Sequence, residues 1–341
     1  MKRFSAAILF LSIVSVSSTY AQQVDKIKFF QDTSMINATL TFNMKKVMAQ
    51  KDKLGYKFPA AFSCKLDSSN INDHILIEVR GHFRRGYCYL PPLKLIYKKN
   101  PSAAFYKLKM LKLVSACMPR KSDDQNLLKE YMIYKIYNMI TDKSFRVRLL
   151  NMEYKDSSGV KKTITEHAFL VEDIGQLAKR NTCDDWTGRK FATERTDRRQ
   201  MTIVALFEYM IGNTDWSVPV AHNIKLIHSK TDSLALPLVI PYDFDFSGLV
   251  NAGYSTPDEQ LGTTSVRERV YRGYQRTVGE LNDVINIYNQ QKANIYAAIN
   301  DFSLFTVASK KDMIGYLDDF YKTINDPSEM KTAFITNART P

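Results

Sequence analysis

Up to about residue 171 the chain alternates apolar and polar residues as strands do, and beyond it helical spacing takes over. HILIEVR (74–80) and LKLIY (93–97) alternate cleanly, and Leu40–Met44, Lys107–Val114, Arg146–Tyr154 and His167–Val171 read as further strands. One helix interrupts them, Asp123–Thr141, with two acids at its start and a broad apolar face. The second half reverses the proportion. Arg199–Ile211, Val278–Ile299 and Lys310–Asn325 carry apolar residues at helical spacing, broken by one hairpin over 222–242. The expectation is an α+β chain with a sheet-rich first lobe and a helical second lobe. The boundaries expected are a lead-in segment over 22–73, a first lobe over 74–174 and a second over 175–341. Ligands favour the cleft between such halves.

The start of the chain reads as an export signal: Lys2 and Arg3, the apolar run 6–16, then small residues ending at Ala21. The run is too short to span a bilayer, so the expected product is exported, with no membrane span. The formal charge of +13 favours polyanionic partners. The basic residues are dispersed and no nucleic-acid motif appears, so nucleic acid is not expected. Four cysteines in an exported chain suggest disulfides. Cys88 follows an Arg–Gly turn and Cys117 follows a strand that can pair nearby, which makes Cys88–Cys117 the expected bridge. Cys64 and Cys183 are left unassigned.

Chemistry concentrates between Gly212 and Gly248, in GNTDWSVPVAHNIKLI and LPLVIPYDFDFSG. Asp215 sits in a turn, Asn223 opens an apolar run, and Asp243 and Asp245 close the next one. Oxygen ligands at turns and strand ends suit a hard divalent cation such as Mg²⁺, completed by phosphate oxygens. Singly, each of these residues is an ordinary turn or cap residue. RGHFRRGYCYLPP (80–92) places Arg80 and Arg84 beside two glycines, a turn able to cover phosphates or simply to join two strands.

Taken in order, RGHFRRGYCYLPPLKLIYKK, LLKEYMIYKIYNMI, FLVEDI, GNTDWSVPVAHNIKLI and PYDFDFSG resemble the motifs of the CotH kinase-like family, named after a spore-coat protein. The chain looks most similar to the exported versions from Bacteroidetes-type bacteria, over roughly residues 74–276. The resemblance implies an atypical protein-kinase-like two-lobe fold and phosphorylation of protein serines with ATP. It implies that Lys94 touches the nucleotide phosphates and that Glu130 pairs with Lys94. Glu172 to Ile174 would sit by the adenine, Asp215 would orient the acceptor hydroxyl, and Asn223 with Asp243 or Asp245 would hold Mg²⁺ or Mn²⁺. The spacing departs from ordinary protein kinases, whose catalytic loop places Asn about five residues after Asp. Here Asn223 follows Asp215 by eight residues, and His222, read as a residue that supports a ligand or is simply structural, stands between them.

Location restrains the reading, because an exported protein meets little ATP. Three functions stay open: a phosphotransferase that uses a scarce or unusual donor, with an exported protein as a possible substrate, a kinase-fold binding module that holds metal, nucleotide or a phosphate-bearing ligand without transfer, and a surface or coat scaffold.

Overall fold

The computed structural model describes residues 26–66, 68–97, 101 and 103–340. The leader expected over 1–21 lies outside them. After a short helix α1 (Lys26–Gln31) the chain enters strand β1 (Ile36–Phe42), helix α2 (Met44–Ala49) and the long hairpin β2 (Lys57–Leu66) and β3 (Ser69–Val79). A one-turn helix α3 (Phe83–Tyr87) leads into β4 (Leu93–Ile96) and β5 (Met110–Ser115). Helix α4 (Lys121–Ile140) follows, and then β6 (Val147–Asp156) and β7 (Ile164–Val171).

These seven strands close on themselves in the order β1-β2-β3-β4-β5-β7-β6. Neighbours are antiparallel except at the seam, where β1 runs parallel to β6 and pairs Asn37 with Asn151 and Phe42 with Asp156. Closure leaves no edge strand to recruit another chain. Inward positions alternate along each stave: Phe58, Ala60, Phe62 and Cys64 of β2 are buried while their neighbours are more exposed. They meet Leu40, Ile77, Leu95, Leu111, Leu150 and Leu170 in a core inside the barrel. Arg148, 1% exposed, ties α1 to the seam by donating to the carbonyls of Phe29 and Asp32 and to the Asp32 carboxylate.

The rest of the chain packs on the outside of β5, β6 and β7. Helix α5 (Ile174–Arg180) and strand β8 (Cys183–Asp185) come first, then helix α6 (Arg198–Ile211). The hairpin β9 (Ile224–Ser229) and β10 (Leu238–Pro241) joins β8 in a second sheet, ordered β10-β9-β8. Helices α7 (Val278–Asp301), α8 (Val307–Asn325) and α9 (Pro327–Lys331) complete the chain. A second core runs from Val114, Leu149 and Phe169 of the barrel through α4 to α6, α7 and α8.

This overturns the expected fold. The strands do not form the open sheet of a kinase-like first lobe facing a helical second lobe; they close into a seven-stranded mixed barrel. The physical reason is the seam. Parallel pairing of β1 with β6 uses residues 114 positions apart, such as Asn37 and Asn151, and periodicity within each run carries no trace of it. The stretches 22–73 and 74–174 both supply staves, and β3 crosses the point between them. The second half keeps the expected hairpin as β9 and β10 and adds β8 beside it.

Candidate functional site

Helix α6 ends in a left-handed turn at Gly212, φ 65°, where a Cβ would collide with the Tyr316 hydroxyl. Beyond it Asn213 receives the Asp215 backbone N–H at 3.0 Å and donates its own amide to Glu208 at 2.9 Å. Glu208 is buried beneath this turn, and burial pushes its carboxyl up to about 8. The turn is thereby fixed from below and Asp215 is presented at its surface.

Asp215 has two side-chain partners. His222 Nε2 lies 2.7 Å from Oδ1, and the Asn223 amide donates to Oδ2 at 2.9 Å and to the Asp215 carbonyl at 2.8 Å. A two-way backbone bridge between Ser217 and His222 folds the loop back so that residues eight apart can meet. Asn223 sits at φ 49°, the left-handed region in which Asn is among the better tolerated residues. With its amide nitrogen turned to Asp215, its Oδ1 is the oxygen left for a cation.

Asp243 stands two residues past the end of β10, at φ 70°. The Tyr242 N–H donates to the Asn223 carbonyl at 3.0 Å, so the hairpin sets the start of β9 and the end of β10 side by side. The Asp243 N–H is held by the Tyr134 hydroxyl of α4 at 2.9 Å, while its carboxylate takes no hydrogen bond or ion pair from another described residue. Asp245 is more enclosed. Tyr254 donates to it at 2.9 Å and Arg84 of α3 stands at 3.6 Å. Burial first, then Asp243, lift the Asp245 carboxyl to about 6.

Glu130 of α4 faces the same place, 2% exposed, with Oε1 lacking any hydrogen-bond partner. Burial raises it well above the usual carboxylate range, and Asp245 and Asp243 add to that, against Arg84 and Arg80. The expected Lys94–Glu130 pair does not form. Lys94 stands opposite Glu78 in the β3–β4 register and binds it at 2.9 Å. Arg80 is held across the barrel wall, donating to the carbonyls of Leu93 at 3.3 Å and Leu113 at 3.2 Å. Arg84 donates to the Ser115 carbonyl. Its helix is fastened by the Cys88–Cys117 disulfide, the bridge expected from sequence; Cys64 and Cys183 are buried free thiols.

Next to the acids lies a cavity of about 180 Å³. Lys94, Lys112 and Lys225 line it together with an apolar wall of Met110, Phe145, Val171, Ile174 and Tyr242. Glu172 and Asp173 also line it, and the Glu172 carboxylate is already engaged by Arg180 and the Arg146 N–H. Lys112 was not foreseen. It lies over the Tyr242 ring at 3.9 Å, and burial with Arg80 nearby lowers its ammonium to about 7, opposed by Asp243. On a strand it reads as a solvent-facing lysine, and only the fold turns it inward. A wider groove of about 520 Å³ over β1, β2, β3, β6 and β7 shares no residue with the acid edge.

Among the described residues no three His, Cys, Asp or Glu side chains form a ready metal cage. After burial, the charge of Asp243 nevertheless helps to raise the carboxyls of Asp215 and Asp245. A divalent cation held by the unpartnered Asp243 carboxylate, the Asn223 oxygen and phosphate oxygens would relieve that repulsion. The residues therefore fit such an ion. No helix among the described residues is long and apolar enough to cross a membrane. No protein-family model and no curated protein matches this chain.

Proposed function

We propose that this protein is a metal-dependent phosphotransferase that uses a nucleoside triphosphate, ATP being the first candidate, to modify a hydroxyl of an exported protein. One observation supports this most: a half-buried cluster of cations, Lys94, Lys112 and Lys225, shares an apolar-walled cavity, and of the three Lys94 alone has a direct carboxylate partner. Burying like charges together is costly unless an anion joins them. Phosphate is the anion that also explains the acids a few residues away. The cavity is smaller than the roughly 300 Å³ that a whole ligand of this size needs, so it receives one part of the nucleotide. The likeness to CotH kinase-like motifs leads to the same chemistry.

In this reading Lys94 and Lys112 hold phosphate oxygens, and Asn223 and Asp243 hold Mg²⁺ or Mn²⁺, with Asp245 and Arg84 bracing the acid edge. Bound there, the ion would neutralise charge on the phosphoryl group. Asp215 stands at the acceptor end, more exposed than Asp245. Purified protein is tested by thermal shift with ATP, with and without metal. Saturation at a hundredfold excess over Kd stabilises by about 2.7 kcal/mol. Asp243→Ala should lose the metal-dependent part of that shift, Lys94→Ala should weaken it, and Asp215→Ala should keep it while losing phosphate transfer. Equal destabilisation of all three variants, with no nucleotide effect in the parent, would leave a scaffold.

A further inference from the structure

We infer that His222, not Asp215, takes the proton from the acceptor hydroxyl, Asp215 acting as the carboxylate that orients the imidazole. This rests on the phosphotransfer reading above and specifies its acceptor half.

The argument starts from the carboxylate. Both Asp215 oxygens already face nitrogen donors: Oδ2 the Asn223 amide at 2.9 Å, and Oδ1 the His222 Nε2 at 2.7 Å. An ionised carboxylate only accepts hydrogen bonds, so the ring nitrogen facing it carries the proton. In a neutral imidazole the other nitrogen, Nδ1, then holds the free lone pair. Among the described residues Nδ1 has no protein partner. The ring is open to solvent, with its side chain 54% exposed against 40% for Asp215. Of the two, the imidazole offers an incoming hydroxyl the basic atom that no other described residue contacts.

The mounting is rigid where it has to be. His222 exchanges both backbone hydrogen bonds with Ser217 at 2.9 Å, and Ala221 before it and Asn223 after it both have positive φ. Asn223 therefore links the two halves of the site: its amide steadies Asp215, and its remaining oxygen faces the metal-holding role. This is the carboxylate–imidazole arrangement that hydrolases use to activate a hydroxyl.

The step balances. The acceptor oxygen forms its bond to the terminal phosphorus as its proton passes to Nδ1. The bond from that phosphorus to the bridging oxygen breaks, and the electron pair leaves with the nucleoside diphosphate. The imidazolium, held by the Asp215 carboxylate, later releases its proton to water.

The test uses the full chain with MgATP and MnATP, following phosphate release to water and label transfer to the protein's own hydroxyls. His222→Gln and His222→Ala should each lower turnover by about a hundredfold or more. ATP affinity and melting temperature should stay near the parent's, since the ring is exposed. Added imidazole should restore part of the turnover in His222→Ala and none in His222→Gln, where the side chain fills the space. Parent-like turnover in both variants overturns the inference and leaves the phosphotransfer reading standing. So does a loss that imidazole fails to relieve, which marks a structural role. No turnover in the parent overturns both.

Discussion

At the residue scale, the most informative side chain is one that sequence reading passed over. Lys112 belongs to the run KLKMLKLVS (107–115), flanked by Leu111 and Leu113, where a lone lysine between apolar neighbours looks like the wet face of a strand. In the fold its neighbours are Arg80, Lys94 and Lys225, with Asp243 as the opposing charge and the Tyr242 ring beneath it. Burial, then Arg80, bring its ammonium down to about 7. The sign for stability follows. A lysine lowered in the folded state lets the unfolded chain bind more protons between about 7 and its ordinary 10.5. That contribution to stability is present above the ordinary value and is lost as pH falls through 7. Lys112→Met should therefore gain in melting temperature relative to the parent as pH drops from 10 to 6. The same variant should bind ATP at least tenfold more weakly. Because a phosphate restores the charge, ATP binding by the parent at pH 8 should take up a proton. Calorimetry in two buffers of different ionisation enthalpy measures that uptake, and its persistence in Lys112→Met would remove Lys112 from the phosphate site.

At the element scale, the sequence was informative wherever local pattern decides. The long helix expected from Asp123 forms as α4, and that expected from Arg199 as α6. The 222–242 hairpin forms as β9 and β10, which is why Asp215, Asn223 and Asp243 come together as their turns suggested. It failed where partner choice decides. Strand β2 was missed because Pro59 interrupts KFPAAFSCKL, and a proline in a run argues against a strand. Lys94 was assigned to Glu130, but strand register gives it Glu78 first. The basic turn after β3 was read as a loop and is the short helix α3. One-turn helices are not stable alone, so what holds α3 is its disulfide, its Arg84 contacts and ring contacts of Phe83 and Tyr87 with Tyr254. Replacing Cys88 and Cys117 by serine opens a loop of 29 residues and should cost about 2–4 kcal/mol, read as a lower urea midpoint. The same variant should lose amide-exchange protection in 83–88 before it does so in β4. Unchanged protection there would mean that the aromatic contacts alone position Arg84.

At the scale of the whole molecule, the barrel decides where the site lies. Strands β4 and β5 carry Lys94 and Lys112, the end of β7 carries Glu172, and α4 leaves β5 to bring Glu130 and Tyr134 to the acids. All of these depend on a barrel that closes only through β1, since β1 alone bridges β2 and the parallel strand β6. No part of the acid edge touches β1, so a local view of the site predicts that removing it costs nothing. The closed barrel predicts otherwise. Deleting residues 22–43 would expose the edges of β2 and β6 and remove Leu40 and Phe42 from the inner core. Each such buried side chain is worth about 2 kcal/mol or more, and several go at once. The truncated chain should thus lose its single cooperative melt, associate through its open edges and show no nucleotide-dependent shift. A milder variant keeps the question answerable if the truncation proves insoluble. Leu40→Ala should lower stability by about 2–5 kcal/mol while the ATP affinity of the folded fraction stays unchanged. Size-exclusion chromatography and thermal shift on both proteins give the comparison. A truncated chain that stays monomeric and still responds to ATP would show that the site is supported by α4 and the second core alone, with the seam dispensable.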